Sequence, residues 1–237
     1  LPSRSQLIKH ISRIKGEAMN IVLIPMRGGS KAIPKKNIKL IAGKPLCYWV
    51  IKASLDAKMI DKVYVSTDSD EITQVVNAMG LNVTVLARPS EMATDHASTE
   101  SVMVDFIKKI DCDTLVTVQA TSPMLTGEDI DKALNLFEFN KFDSLLSAVR
   151  VKRFFWSEDG NPINYDPLYR PRRQDFSGIL MENGAFYLTR RKTLEEYQCR
   201  LGGHIGIYEM ADESALEIDE PADWERVEKA LQYKADL

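Results

Sequence analysis

The chain has 237 residues, which is long enough for one large domain, or a domain with an insertion, to bury its core without disulfide bonds. Its 31 basic and 34 acidic residues give a net charge of −3, which excludes an overall field that would attract nucleic acid or an anionic membrane. Cys47, Cys112 and Cys199 form no C-x-x-C pair, so they argue against a zinc site or a disulfide framework and favour packing roles in a reducing compartment.

The first predicted strand runs into a basic loop. Residues 21–25 form a short apolar run that is typical of a buried strand. Two glycines, a serine and four cations then precede Asn37, the cations being Arg27, Lys31, Lys35 and Lys36. Glycines let the main chain approach an anion closely, and the cations neutralise several negative charges at once, as a triphosphate requires. A solvated basic turn is the alternative, and charge count alone does not decide between the two.

Neither of the two best-known phosphate loops is present. Gly43-Lys44 is followed by Pro45, so the chain has no G-x-x-x-x-G-K-[ST], and it has no G-x-G-x-x-G. The sequence therefore argues against a P-loop nucleoside triphosphatase and against a dinucleotide dehydrogenase.

After this loop, helices and strands alternate over short connections. The periodicity predicts helices over residues 45–58, 71–79, 99–110, 128–140, 188–198 and 223–231, and strands over 62–66, 83–87, 114–119, 143–151 and 205–210. This alternation predicts an α/β fold with a mainly parallel sheet and helices on both faces, in three Rossmann-like layers. Ligands of such sheets bind beyond the carboxyl ends of the strands, where Arg27, Asp68, Arg88 and Gln119 fall.

Two acidic pairs allow more than one interpretation. Asp68 and Asp70 match a metal-binding D-x-D, but Glu71 and a helical pattern follow at once, which favours helix capping. Glu217 and Asp219 lie two residues apart, so in an extended segment they project to the same side and can share one cation.

Residues 152–178 interrupt the regular pattern. Three consecutive aromatics, three prolines and an arginine-rich run replace the helical and strand periodicities. Such an excursion inside an α/β domain indicates an exposed arm, and we interpret it as a dimerisation element.

Five motifs together closely resemble the acylneuraminate cytidylyltransferases. They occur in family order between residues 20 and 230: the loop RGGSKAIPKKN from Arg27, the segment RPSEMATDHAST from Arg88, QATSP from Gln119, RPRRQD from Arg170 and ENGAFY from Glu182. The chain departs from the family at three positions. It has Met26 where the family usually has alanine, Ala32 where the family usually has glycine, and Glu217 where the family usually has aspartate. Ala32 requires a loop conformation that tolerates a β-carbon.

The resemblance implies a nucleotidyltransferase that joins CTP to a nine-carbon 2-keto sugar acid, either Neu5Ac or Kdn, and releases pyrophosphate. It implies a cytidylyltransferase domain over residues 19–151 and 179–237, an inserted dimerisation arm over 152–178, and an N-terminal extension over 1–18. The expected partners are these substrates and a second copy of the chain, with neither nucleic acid nor a membrane. The expected location is the cytoplasm, or the nucleus for an animal protein.

The resemblance also assigns site residues. CTP binding is expected from Arg27, Gly28, Gly29, Ser30, Lys31, Lys36, Asn37, Arg88, Ala97 and Thr99. Sugar binding is expected from Gln119 and Arg173, and a Mg²⁺ or Mn²⁺ ion from Asp219, with Glu217 as a longer second carboxylate. Arg27, Lys36 and Asp219 are the expected catalytic residues. The sequence offers no general base, and His96 is interpreted as structural.

Two other functions stay open at this point. A glycosyltransferase-like protein of similar fold would use Asp68 and Asp70 for its metal, and a non-catalytic protein would bind a nucleotide sugar without turnover.

Overall fold

The structure is a computed structural model that describes residues 18–94 and 97–235. The predicted N-terminal extension, apart from residue 18, and His96 lie outside the described residues. The strands in the described part are β1 (Asn20–Pro25), β2 (Leu40–Ile41), β3 (Lys44–Pro45), β4 (Lys62–Thr67), β5 (Thr84–Ala87), β6 (Thr114–Val118), β7 (Ser144–Val151), β8 (Ile179–Arg190) and β9 (Ile205–Met210). The helices there are α1 (Leu46–Asp56), α2 (Asp70–Ala78), α3 (Thr99–Lys109), α4 (Gly127–Phe139), α5 (Arg191–Tyr197) and α6 (Pro221–Ala235).

Seven strands form one sheet in the order β5-β4-β1-β6-β8-β7-β9. β1 is parallel to β4 and β6, β4 is parallel to β5, and β7 is parallel to β9. β8 runs antiparallel to both of its neighbours, β6 and β7. The predicted mainly parallel sheet is confirmed, with one reversed strand that the sequence did not reveal.

Helices cover both faces of the sheet, as predicted. Val22 and Ile24 of β1 face the cluster formed with α1, α2 and α4, whereas Ile21 and Leu23 face the cluster formed with α3 and α5. Because β1 is buried on both sides, its sequence is a continuous apolar run. A third cluster packs α6 and the β2–β3 hairpin against the basic loop.

The prediction of a helix over residues 188–198 was wrong in its first part. Leu188, Thr189 and Arg190 belong to β8, and α5 begins only at Arg191. The strand was hidden because its amino half bulges: residues 183–186 face the single residue Ser147 of β7, and Gly184 has a φ of 62°. A bulge destroys the two-residue alternation by which strands are recognised.

Residues 152–178 are largely irregular, as the loss of periodicity predicted. Their aromatic side chains stack on one another, with the Phe154 ring 4.2 Å from that of Tyr165 and 4.8 Å from that of Phe176. The Arg170 guanidinium lies 4.4 Å from the Phe154 ring centre. Leu168 and Tyr169 are left 87% and 81% exposed. The role of this arm in dimerisation stays a prediction.

None of the helices in the described ranges combines the length and the apolar character that crossing a membrane requires.

Candidate functional site

A cavity of about 360 Å³ opens at the carboxyl edge of β1 and β6. Its lining combines the basic loop, the turn after β6 and the segment before α6, namely Pro25, Arg27, Ser30, Lys31, Ala32, Ile33, Lys36, Asn37, Gln119, Ala120, Thr121 and Asp219. Seven of the residues expected to bind substrate or metal therefore meet around one space. This is the edge at which parallel sheets bind their ligands.

The basic loop is fixed to the start of α2. The Gly28 N–H donates to an Asp68 carboxylate oxygen at 2.9 Å, and the Asn37 side-chain amide donates to the Arg27 carbonyl at 3.2 Å. A β-carbon at Gly28 would lie 3.0 Å from the Ser69 Cβ, whereas one at Gly29 would meet nothing within 4 Å. Gly28 is thus required for close packing, whereas Gly29 lies in open space.

The segment Asp68-Ser69-Asp70 connects the start of α2 with the basic loop. The Ser69 hydroxyl accepts a hydrogen bond from the Ile72 N–H, and Asp68 is engaged by Gly28. Ser69 is therefore the N-cap of α2, Asp70 lies in the first turn of the helix, and Asp68 binds the loop rather than the helix end.

Lys36 links the loop to the segment before α6. Its ammonium group donates to the Ile218 carbonyl at 2.8 Å and to an Asp219 carboxylate oxygen at 3.3 Å. The Lys36 side chain is only 15% exposed, whereas that of Asp219 is 63% exposed. The lysine is therefore held in place, and the carboxylate keeps a free face towards the cavity.

Ala32 fits the loop without backbone strain. Its φ is not positive, and its methyl group lines the cavity. The loop conformation expected for this departure from glycine is confirmed.

Arg88 follows β5 and lies near Asp68 and Arg27. Its guanidinium donates to the Ser66 carbonyl at 2.9 Å and to the Ser66 hydroxyl at 3.4 Å. The pKa of Arg88 is lowered, chiefly by burial. The negative charge of Asp68 acts against this shift, and the positive charge of Arg27 adds to it. Because two nitrogens are used by Ser66, the guanidinium has a fixed orientation and a third nitrogen left for a ligand.

Two other expected CTP residues follow Arg88 in the chain. Ala97 donates its N–H to the Thr94 carbonyl at 3.2 Å, and the same carbonyl accepts from the Arg27 side chain at 3.5 Å. Thr99 is the first residue of α3. The segment is thereby connected to the basic loop.

The turn after β6 joins the cavity to β8. The Gln119 N–H donates to the Ala185 carbonyl at 3.0 Å, and the Ile218 N–H donates to the Thr121 carbonyl at 3.0 Å. Ala120 and Thr121 line the cavity but were not among the predicted site residues, although they belong to the quoted QATSP motif.

Within the described chain, seven of the expected residues are not part of the lining of this cavity, namely Gly28, Gly29, Arg88, Ala97, Thr99, Arg173 and Glu217. Glu217 borders a neighbouring hollow of about 330 Å³ that shares Asp219 with the main cavity. Arg173 is exposed on the arm and does not contribute to the lining.

The carboxylates around the start of α6 have different roles. Asp223 accepts N–H groups of Asp219 and Glu220 at 3.1 and 2.9 Å, and these bonds lower its pKa. It therefore caps α6, although the helix begins at Pro221, two residues earlier than predicted. The pKa of Glu217 is raised, first by burial and then by the charges of Asp219 and Asp223, with Lys36 opposing the rise.

The cysteines lie away from the site. Cys47 and Cys112 are buried, and burial raises their pKa to about 12 and about 11. Their thiols are thus inert at neutral pH, in agreement with packing roles. Cys199 is partly exposed.

The cytidylyltransferase family model matches residues 21–237. The chain belongs to this family. Among curated relatives of this chain, the N-acylneuraminate cytidylyltransferase of Oncorhynchus mykiss is 40% identical over 225 residues, covering 91% of this chain and 51% of that protein. N-acylneuraminate cytidylyltransferase B of Danio rerio is 41% identical over 224 residues, covering 91% and 52%. The chain thus spans about half the length of these relatives.

The fold of the cytidylyltransferase also has solved neighbours. A CMP:2-keto-3-deoxy-manno-octonic acid synthetase complexed with CTP matches with a TM-score of 0.72 at 20% identity, covering 92% of this chain and 100% of that one. At this identity the likeness supports the fold alone. The family resemblance read from the motifs is confirmed by the family model and the relatives.

Proposed function

We propose that the chain is a cytidylyltransferase that activates a nine-carbon 2-keto sugar acid, Neu5Ac or Kdn, with CTP to give the CMP-sugar and pyrophosphate. The observation that carries this proposal is the cavity in which a fixed basic loop faces an acidic segment and Gln119. Support comes from relatives named N-acylneuraminate cytidylyltransferase and from the structural neighbour that was solved with CTP.

The reaction needs the α-phosphorus to be attacked by the anomeric hydroxyl while pyrophosphate leaves. Arg27, Lys31 and Lys36 would neutralise the triphosphate, together with the main-chain N–H groups of the loop. Because the loop is fixed by Asp68 and Asn37, its donors are already oriented before the reaction. Preorganised charge of this kind is worth more than charge that must reorganise.

Arg88 is proposed to select cytosine. Its side chain is anchored to Ser66 and has a free nitrogen, which would donate to the O2 and N3 acceptors of the base. Ala97 and Thr99 follow in the same segment and would complete the base pocket.

The donor set at Asp219 fits a magnesium or manganese ion. Magnesium is commonly held by one or two carboxylates and the phosphates of its substrate. Asp219 presents an exposed carboxylate to the cavity, and the pKa of the nearby Glu217 is raised first by burial and then by the charges of Asp219 and Asp223. Asp219 would hold the ion, with Glu217 as a second carboxylate. When bound, the ion supplies charge neutralisation for the departing pyrophosphate.

The described ranges contain no group of three or more His, Cys, Asp or Glu side chains arranged for a metal. A site completed by the phosphates of the substrate agrees with this. Lys36 already contacts Asp219, so it would share that carboxylate with the ion and lie beside the triphosphate.

The sugar is proposed to bind beyond Gln119, with its carboxylate paired to Arg173 of a second copy of the chain. Arg173 lies outside the cavity of its own chain, and the exposed Leu168 and Tyr169 give the arm an apolar contact surface. We therefore propose a homodimer. A cytoplasmic location is proposed from the cysteine usage alone.

Pyrophosphate release tests the proposed reaction. Incubation with CTP, Mg²⁺ and Neu5Ac should give one pyrophosphate and one CMP-sugar, and neither substrate alone should react. A glycosyltransferase would consume a nucleotide sugar without releasing pyrophosphate, and a non-catalytic binding protein would give no product. Competition between Neu5Ac and Kdn would then decide the sugar, because they differ only at C5.

A further inference from the structure

Four polar side chains from distant parts of the chain form a continuous network on the α3 side of the sheet. The Arg200 Nε donates to a Glu100 carboxylate oxygen at 2.5 Å, and its guanidinium lies 4.8 Å from the Tyr187 ring centre. The Tyr187 hydroxyl donates to Glu182. The network therefore runs from Glu100 through Arg200 and Tyr187 to Glu182.

The network is shielded from solvent at its centre and open at one end. The Arg200 and Glu100 side chains are 21% and 23% exposed, and Tyr187 is 4% exposed. Glu182 is exposed. Burial and the hydrogen bond to Glu182 raise the pKa of Tyr187 to about 12, so its hydroxyl stays protonated and remains a donor to Glu182. The exposed carboxylate keeps acceptor capacity for a ligand.

This open end lies beside the cavity. Tyr187 pairs with Thr117 across β6 and β8, and Gln119 is two residues further along the same face of β6. A β-carbon at Gly184 would lie 3.9 Å from the Tyr187 hydroxyl and 4.0 Å from a Glu217 carboxylate oxygen. The Tyr187 hydroxyl and the Glu217 carboxylate thus lie on either side of the space at Gly184, and Glu217 borders the hollow that shares Asp219 with the cavity.

We propose that Arg200 is a positioning residue for the sugar substrate. It holds the Tyr187 ring and hydroxyl, and through them the Glu182 carboxylate, where that carboxylate accepts hydrogen bonds from sugar hydroxyl or amide groups. Glu100 fixes Arg200 from the start of α3. This inference rests on the proposed function, because it concerns the sugar of that reaction.

The alternative is an ion pair that only stabilises the fold, and the chain contains a matched example. Arg190 at the other end of β8 donates to Glu138 at 2.8 Å and lies 4.4 Å from the Phe137 ring centre. The Arg190 side chain is 20% exposed, which is close to the 21% of the Arg200 side chain. Each arginine pairs with a glutamate and stacks on an aromatic ring, but Arg190 pairs with Thr114 at the opposite end of β6 from Gln119.

The test compares Arg200→Met, Arg200→Lys and Glu182→Gln with the control Arg190→Met, using CTP and Neu5Ac as the probes. Arg200→Met and Glu182→Gln should raise the KM for Neu5Ac about tenfold and leave the KM for CTP within about twofold, because a hydrogen bond to a charged group is lost only on the sugar side. Arg200→Lys should recover part of this loss. Arg190→Met should lower the melting temperature as Arg200→Met does, without changing the KM for Neu5Ac.

Two results would overturn the inference. One is a KM for Neu5Ac that stays within about twofold in Arg200→Met and Glu182→Gln while the wild type is active. The other is a parallel rise of both KM values, which indicates a purely structural role. If Arg200→Met does not fold, Glu182→Gln decides, since it leaves the Arg200–Glu100 pair intact. An inactive wild type would instead refute the proposed function, and this inference with it.

Discussion

Lys36 is the residue on which the site depends most, because it connects the basic loop with Asp219. Lys36→Met keeps the aliphatic stem and removes the charge, so we expect a rate loss of at least about a hundredfold, or about 3 kcal/mol of transition-state stabilisation. Circular dichroism should show a native fold, and pyrophosphate release measures the rate.

Lys39→Met is the matched control. Lys39 lies three residues further along and stacks over the Trp224 ring at 4.3 Å, outside the cavity lining. We expect this variant to keep its activity. Equal losses in the two variants, or near wild-type turnover in Lys36→Met, would remove Lys36 from the reaction.

Glu217 should make the stability of the free protein depend on pH. Its pKa is raised in the folded state, chiefly by burial, so the folded state binds this proton more tightly than the unfolded state does. By linkage, its contribution to stability is fully present below the ordinary glutamate pKa and is lost as the pH rises through the raised value. Glu217→Gln should therefore raise the melting temperature at pH 7 but not at pH 4. A lower melting temperature at pH 7 would contradict this assignment.

At the scale of elements, the basic loop and α2 behave as one unit because Gly28 lies against Ser69. In Gly28→Ala the new methyl group would meet the Ser69 Cβ at 3.0 Å, and we expect a loss of about 1–3 kcal/mol in the free energy of unfolding. In Gly29→Ala the methyl group would meet nothing within 4 Å, so the unfolding free energy should change by less than about 0.5 kcal/mol. Urea denaturation compares the two, and equal values would mean that the loop is not packed on α2 as described.

The regular elements could be predicted wherever burial produced a simple pattern. β1 is buried on both faces and reads as an uninterrupted apolar run, and β9 (Ile205–Met210) was predicted with its correct ends. β8 was missed because its bulge at Asn183 and Gly184 is specified by pairing with β7, a contact between residues more than thirty positions apart. Sequence periodicity contains no information on such a partner.

The same reason limits what the sequence says about the site. The basic loop and Gln119 were located because they follow predicted strands, and the structure brings them to one cavity. The Glu100–Arg200 pair joins residues 100 positions apart and has no local signature. The family motifs supplied the substrates, which the geometry of one chain does not specify.

At the scale of the whole molecule, the arm should form the interface between two copies of the chain. Leu168 and Tyr169 are almost fully exposed in one chain, and a monomer would leave them in water. Sedimentation equilibrium should give twice the 26.8 kDa chain mass. Leu168→Asp combined with Tyr169→Asp should give a folded monomer with little turnover, because Arg173 would no longer reach the partner's site. A fully active monomer at assay concentration would contradict the shared site.

The fate of labelled CTP tests the proposed transfer of the cytidylyl group. CTP labelled at the α-phosphorus should transfer its label to the Neu5Ac product, and CTP labelled at the γ-phosphorus should release its label as pyrophosphate, one for each CMP-sugar formed. UTP should give under about a hundredth of this turnover if Arg88 selects cytosine. Release of the γ-label as free phosphate, or no transfer of the α-label to the sugar, would contradict the account.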